Sequence, residues 1–380
     1  MTSSTAAPVD EWEIGPIDHI DLITVKLPFV SPFGTSVHVW THKEVLLLRL
    51  QAGGITAWGE CVADPDPFYL SETTRTAAHI IREFLLPCVG PSASLAGIGR
   101  LFRAIRGHTM AKATVENALL CLLAERAGMP LHAMLGLPPR KIMSGISIGL
   151  KDSPGELLAA VEEAVERGYH RVKMKIKKGK DVEWVGAVRR RFPDLRLMVD
   201  ANCDFGMDDL ERLLPLDGMN LMMIEQPLAY DDIYRHAAWQ KAFRTPICLD
   251  ESIMGLEDAA AAADLGACRI INIKQGRVGG ILESLRIARY CAGRGIPVWS
   301  GGMDETGIGR ALNIHLQAAP EFTLPGDTSE TSRYFREDIV EPSVVLDGEG
   351  FIAIPPGPGL GVRVLADRVM AYAIAWERVI

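Results

Sequence analysis

No run of eighteen consecutive apolar residues occurs in the sequence, so no segment reads as a membrane-spanning helix. Residues 1–11, MTSSTAAPVDE, lack both the basic start and the apolar centre of a secretory signal, and read as a polar terminus. The seven cysteines include no CxxC pair and are odd in number, which argues against a disulfide framework and for a reducing compartment. Six of them fall in apolar or helical runs, as small buried hydrophobes do. An excess of positive charge is also missing. Forty Lys and Arg against 48 Asp and Glu leave a net charge of −8, which speaks against nucleic acid or an anionic membrane as the main partner. A small anionic substrate remains open, because it is bound by local charge. The inter-strand segments are too dissimilar for a repeat array. These absences leave a cytoplasmic enzyme of small molecules as the expectation.

What is present is an ordinary globular composition, 48% hydrophobic and 23% charged over 380 residues, enough for a large core. Residues 17–27 alternate like a half-exposed strand, and 45–52 with 55–61 predict a hairpin across Gly53-Gly54. Two long segments rich in turn formers, 28–43 and 63–72, read as functional loops. Helices are expected from about 71 to Pro87 and over 113–128, the second with Val115, Leu119, Leu122 and Leu123 on one stripe and a stop at Gly128. Together these make a small α+β domain.

From about 144 the rhythm becomes strand–helix alternation. Ser153-Pro154-Gly155-Glu156 reads as a capping box with proline at the first helical position. Strands are expected at 144–150, 170–176, 196–200, 221–226, 246–250, 269–274, 296–300 and 322–325, the count and period of a closed parallel barrel. After 326 a polar connection and a short strand-and-turn tail are expected to return to the N-terminal domain. The resulting division is 1–140 with 340–380 as one α+β domain and 141–339 as the barrel.

The informative feature is a row of charges. Asp200, Glu225, Asp250 and Lys274 each end an apolar run, at spacings of 25, 25 and 24 residues, and Lys173 and Lys175 sit in the strand before them. Equal spacing of about one βα unit puts these charges at equivalent points of successive strands, at the barrel mouth where active sites lie. Three crowded carboxylates cannot all stay ionised without a cation, and oxygen-only donors select a hard divalent ion, Mg²⁺ foremost, with Mn²⁺ or another as substitutes. Lys175 and Lys274 flank the carboxylates from opposite sides. A base working near pH 7–8 must be brought down roughly 3 units from 10.4, about 4 kcal/mol, and Lys173 supplies a neighbouring charge acting in that direction. The arrangement suits removal of a proton from the carbon next to a carboxylate, with the cation stabilising the enediolate and the two lysines as acid and base.

The residues that carry this chemistry resemble a known family. KMK (173–175), VDAN (199–202), IEQP (224–227), LDES (249–252), INIKQGRVGG (271–280), SGGMDETGIGR (300–310) and FTLPGDTS (322–329) are similar to the muconate-lactonizing branch of the enolase superfamily, within it to the o-succinylbenzoate synthase / N-succinylamino acid racemase group. The segments 28–36 and 58–77 are similar to that group's capping domain. The resemblance implies an α/β fold, a modified (β/α)7β TIM-like barrel with a capping domain built from both chain ends. It implies Mg²⁺ on Asp200, Glu225 and Asp250, and Lys175 and Lys274 as the acid/base pair. Lys173 would contact the substrate carboxylate or tune Lys175. Asn202 and Glu251 would orient the ligands, and Arg277 would tune Lys274. Gly301, Gly302 and Met303 would let substrate approach the seventh strand, and the 28–43 loop, with Phe29, Phe33 and Trp40, would close over the mouth.

The implied reaction is dehydration to o-succinylbenzoate in menaquinone synthesis. Racemisation of N-succinyl or other N-acyl amino acids is the alternative, then dipeptide epimerisation or cycloisomerisation. A silent barrel acting as an interaction protein is the rival of a different kind. The partner is a small carboxylate substrate, with neither nucleic acid nor membrane, and the assembly a homo-oligomer. IPVWSGG lacks the histidine that serves as base at the seventh strand of mandelate-racemase-like members. Two residues depart from the group: Asp304 stands where an apolar residue is usual, and Gln275 where proline is common.

Overall fold

The structure is a computed structural model that describes residues 12–34, 39–90 and 93–380. An antiparallel sheet is built from strands His19–Gly34, Val39–Ala52 and Ile55–Cys61. Gly53 and Gly54, with φ of 59° and 80°, close the expected hairpin and pair Ala52 with Ile55. The predicted 28–43 loop is instead a continuation of that sheet. Pairing runs Leu27 to Lys43 and Pro28 to His42, shifts register, and resumes from Phe33 with Trp40. Pairing thus outlasts its two prolines, Pro28 and Pro32; residues 35–38 fall outside the described residues.

Helix Thr74–Ile80 starts at Thr73, two residues later than Ser71, because Thr73 and Thr76 form a reciprocal cap. A π turn and a 3₁₀ turn carry the chain through Pro87 to Cys88. Helix Thr109–Arg126 is buried on nearly all sides rather than along one stripe. Gly59 lets it approach the sheet: a Cβ there would lie 2.1 Å from the Thr114 carbonyl oxygen. Its other side faces the barrel, where Asn117 donates to Gln275 Oε1 at 2.6 Å. Gln275 thus serves the contact between the two parts and does not line the cleft. Glu60 reaches into the barrel from the sheet and accepts from the backbone N–H groups of Thr306 and Gly309, capping helix Gly307–Leu316.

Seven parallel strands form the barrel: Gly145–Ile148, Arg171–Lys175, Leu197–Asp200, Ile224–Glu225, Ile247–Leu249, Ile270–Ile273 and Val298–Ser300. The eighth expected segment is not a regular strand. It closes the ring through bridges Val298–Phe322 and Ser144–Gly326, with Asp327 N–H donating to the Ser300 carbonyl at 2.9 Å. This closure agrees with the (β/α)7β expectation. Ser153 caps helix Pro154–Glu166, but the Glu156 carboxylate turns to the Asp152 N–H, so the box is only half made. Inside the barrel, Met198, Met223, Cys248, Ile270 and Trp299 form an apolar plug.

The segment after 326, expected as a polar connection, is largely buried, including Asp327, Thr328, Ser329 and Asp338. The tail then divides its contacts. Phe351–Ile352 pairs with Ile142–Met143, and Ala373–Arg378 adds a strand to the N-terminal sheet beside His19–Gly34. All seven cysteines are free, five of them buried. Among the described residues no helix is long and apolar enough to cross a membrane.

Candidate active site

Strand register brings the charges together. Lys175 pairs with Asp200, and Asp200 with Glu225, so three of the row stand level at the strand ends. Asp250 and Lys274 follow directly after the fifth and sixth strands. Lys173 shares the face of Lys175 because side chains alternate along a strand. The chain bends sharply just beyond: Asn202, Cys203, Gln226 and Asp304 all adopt left-handed conformations, φ 37° to 66°. Side-chain bonds hold some of these bends, as where Gln226 Oε1 accepts from the Asp250 and Ser252 N–H groups.

Each carboxylate has a cationic partner. Lys175 donates to Asp200 Oδ2 and to Asn202 Oδ1, both at 2.6 Å. Lys173 lies 3.4 Å from Asp200, 3.2 Å from Glu225 and 2.6 Å from Asp327, with its ammonium 5.0 Å from the Trp299 ring centre. Lys274 sits 2.9 Å from Asp250 and donates to the Tyr69 hydroxyl at 2.8 Å. Arg277, fully buried, pairs with Asp250 and donates to the carbonyls of Ile253 and Asn272. Asn202 donates to Glu251 at 3.0 Å and Asn272 to Glu225 at 2.8 Å.

The balance of charge is uneven. Burial raises the Asp200 carboxyl, but Lys175 and Lys173 outweigh it and hold it low. The same contest, with Arg277 and Lys274, holds Asp250 low. Glu225 goes the other way: burial and the Asp200 charge push it well up. Burial and Asp250 likewise lift Glu251 to about 7. Burial opposes the charge on Lys173 and Lys274, yet the surrounding carboxylates, Asp327 and Asp250 first among them, leave both well above the ordinary lysine value. For Lys274 the downward shift expected of a working lysine is thus not made by the protein's own groups.

Among the described residues no three carboxylate, imidazole or thiol groups close up as a ready-made metal cage, since each carboxylate is turned to its own cation. The donor set still fits a hard divalent ion. Asp200, Glu225 and Asp250 offer oxygen only, and Glu225 Oε2 and Asp250 Oδ2 are buried without an aligned hydrogen bond.

Above the charges lies a cleft of about 830 Å³, its open mouth included. Lys173, Lys175, Lys274, Asn202, Gly302 and Met303 line it, as do Phe29, Phe33 and Trp40 of the ribbon. Gly301 does not; a Cβ there would lie 2.3 Å from Asn272 Oδ1, so its glycine makes room for the side chain that holds Glu225. Sequence reasoning missed Asn272, which two-residue periodicity before Lys274 places on the inward face, and Asp327, hidden in a segment that looks like a polar loop. Tyr69 lies in the 63–72 segment read as a functional loop, which gave no sign of its bond to Lys274. Lys43 and Asp64, also in the lining, gave no signal, because only the folded sheet carries them to the barrel.

Comparison with known proteins agrees with this architecture. Residues 19–136 match the mandelate racemase / muconate lactonizing enzyme N-terminal domain, and 156–368 the enolase C-terminal domain-like family. An o-succinylbenzoate synthase from Geobacillus kaustophilus is 45% identical over 94% of this chain and 96% of its own. An N-succinylamino acid racemase from Amycolatopsis is 44% identical over 92% and 95%. The crystal structure of an enolase superfamily member from Listeria innocua superposes with a TM-score of 0.91 at 41% identity, covering 95% of this chain and 98% of that one.

Proposed function

The chain belongs to the enolase superfamily, in its mandelate racemase / muconate lactonizing enzyme branch, and on that footing we propose that it removes a proton α to a carboxylate, as an o-succinylbenzoate synthase. The observation that carries this reading is the pair Lys175 and Lys274. They come from the second and sixth strands, half a barrel apart, and both face one cleft over three carboxylates. Asp200, Glu225 and Asp250 would hold a divalent cation, Mg²⁺ foremost. Bound there, the cation would neutralise these carboxylates, relax their hold on the lysines and stabilise the charge that builds on the substrate carboxylate.

The chain's own residues do the rest. One lysine takes the α-proton. In dehydration that same lysine, now an ammonium, returns the proton to the departing β-hydroxyl, which leaves as water, while the opposite ammonium stabilises the developing charge. Tyr69 and Arg277 fix the position of Lys274 on one side, and Asn202 that of Lys175 on the other. The ribbon aromatics shed water from the cleft. The second reading, racemisation of N-acyl amino acids, is favoured by the same opposition of lysines, since a proton removed from one face can be returned on the other.

The deciding experiment assays the o-succinylbenzoate precursor and N-succinyl amino acids in parallel, in deuterium oxide. Wild type should wash deuterium into the α-carbon, lose this on chelation and regain it with Mg²⁺. Lys175→Ala and Lys274→Ala should each abolish racemisation from either enantiomer. Racemisation surviving in either variant would remove the two-base reading.

A further inference from the structure

Where the sheet borders the cleft, residues from three places come together. Lys43 comes from the second strand of the sheet, Asp64 from the loop after the third, and Asp304 from the loop after the seventh barrel strand; all three line the cleft. Lys43, 6% exposed, is committed to Asp64 at 2.8 Å. Asp304 stands on left-handed backbone, φ 55°, and is drawn to Lys43 by charge without accepting a hydrogen bond from a described residue. Glu305, buried behind it, accepts from Asn313 and adds a further negative charge felt by both Lys43 and Asp304. One ammonium therefore faces three carboxylates, and its strongest partner already holds it.

We infer that this end of the cleft selects substrate by charge, favouring N-acyl amino acids whose side chain ends in an ammonium or guanidinium over those ending in a carboxylate. The inference rests on the α-proton reading above and deepens its racemase form. A tail carboxylate arriving here meets Asp64 and Asp304, and the two ammonium groups that offset them are both engaged, Lys43 by Asp64 and Lys175 by Asp200. A cationic tail meets an acceptor that lacks a hydrogen bond, and a charge-assisted bond to it is of the stronger kind. Phe33 and Trp40, in the same lining, offer faces against which the methylene stem of a lysine or arginine packs and over which its charge is attracted. Discrimination of this sort is a difference between two affinities, built as much from the repulsion of the wrong tail as from attraction of the right one.

The test measures kcat/KM for α-deuterium exchange on N-succinyl derivatives of lysine, norleucine and glutamate, in wild type and Asp304→Asn. Asparagine keeps the shape and tolerates the left-handed backbone. Wild type should prefer lysine over norleucine and norleucine over glutamate. In Asp304→Asn the lysine-to-norleucine ratio should fall roughly tenfold, the scale of one well-placed polar contact. Asp64→Asn, read if Asp304→Asn does not fold, should lower the same ratio. Exchange with no substrate at all would remove the reading of the site. Exchange with an unchanged or raised ratio in the folded variants would overturn this inference alone.

Discussion

Replacing Glu60 with glutamine should make the stability of the protein respond to pH in a particular direction. Glu60 has no exposed surface and sits where the sheet plugs into the barrel. Its Oε1 accepts from the Thr306 N–H at 2.9 Å; its Oε2 accepts from the Gly309 N–H at 2.8 Å and from the Thr306 hydroxyl at 2.6 Å. Two effects compete. Burial raises the carboxyl, helped by Glu305, while the Thr306 and Gly309 bonds lower it; burial prevails and lifts it to about 7 from 4.5. A folded-state value above the unfolded one means that the folded protein holds the proton more tightly. The contribution to stability is then complete below about pH 4.5 and lost as pH rises through 7. At 1.36 kcal/mol per unit the loss is about 3 kcal/mol.

The Glu60→Gln variant cannot ionise, so it escapes this loss. It has its own constant cost. One end of the amide is an N–H donor that meets a backbone donor, leaving a buried N–H unsatisfied at about 1–3 kcal/mol. Neutral glutamic acid avoids that cost, because its O–H can turn to Thr306 Oγ1. Wild type should therefore be the more stable protein at pH 5, and the gap should shrink by about 2.5 kcal/mol by pH 8.5. Urea unfolding of both proteins across that range at constant ionic strength measures it. A gap that widens with pH would mean that the helix N-terminus stabilises the ionised carboxylate by more than burial opposes it, and would refute the reasoning.

Three other outcomes follow from the same structure. Tyr69→Phe removes a hydroxyl bonded to both Lys274 and Arg277; at about 1.5–3 kcal/mol for a bond to a charged group, kcat/KM should fall between tenfold and a few hundredfold while circular dichroism stays unchanged. Gly276→Ala places a Cβ 2.5 Å from a Val62 methyl at the contact between sheet and barrel; it should cost about 1–3 kcal/mol in unfolding, and Val62→Ala should recover part of it in the double variant. Asp327→Asn leaves Arg171 and Lys173 with less negative charge in a closed interior; breaking such a pair costs about 3–5 kcal/mol, read as a lower urea midpoint.

Much of the fold was legible because its signals are local. The spacing of Asp200, Glu225, Asp250 and Lys274 reflects the length of a βα unit, and each residue ends its own apolar run. The Gly53-Gly54 turn and the Ser153 cap are set by residues a few positions apart. The 28–43 ribbon was misread because prolines and aromatics suit both a loop and an edge hairpin, and cross-strand pairing decided between them. Asp327 was missed for a similar reason: GDTS is polar, and only Arg171 and Lys173, some 150 residues earlier, make it an interior segment.

The sequence by itself determined which charges stand together at the barrel mouth, since a strand end fixes both the direction and the level of the side chain that closes it. Tertiary structure alone decided what those groups meet. It joined Tyr69 to Lys274, set Lys43 and Asp64 opposite Asp304, and drove Glu60 into a barrel helix. Such contacts depend on how one sheet settles against one barrel, a relation between distant surfaces that no local pattern of residues records.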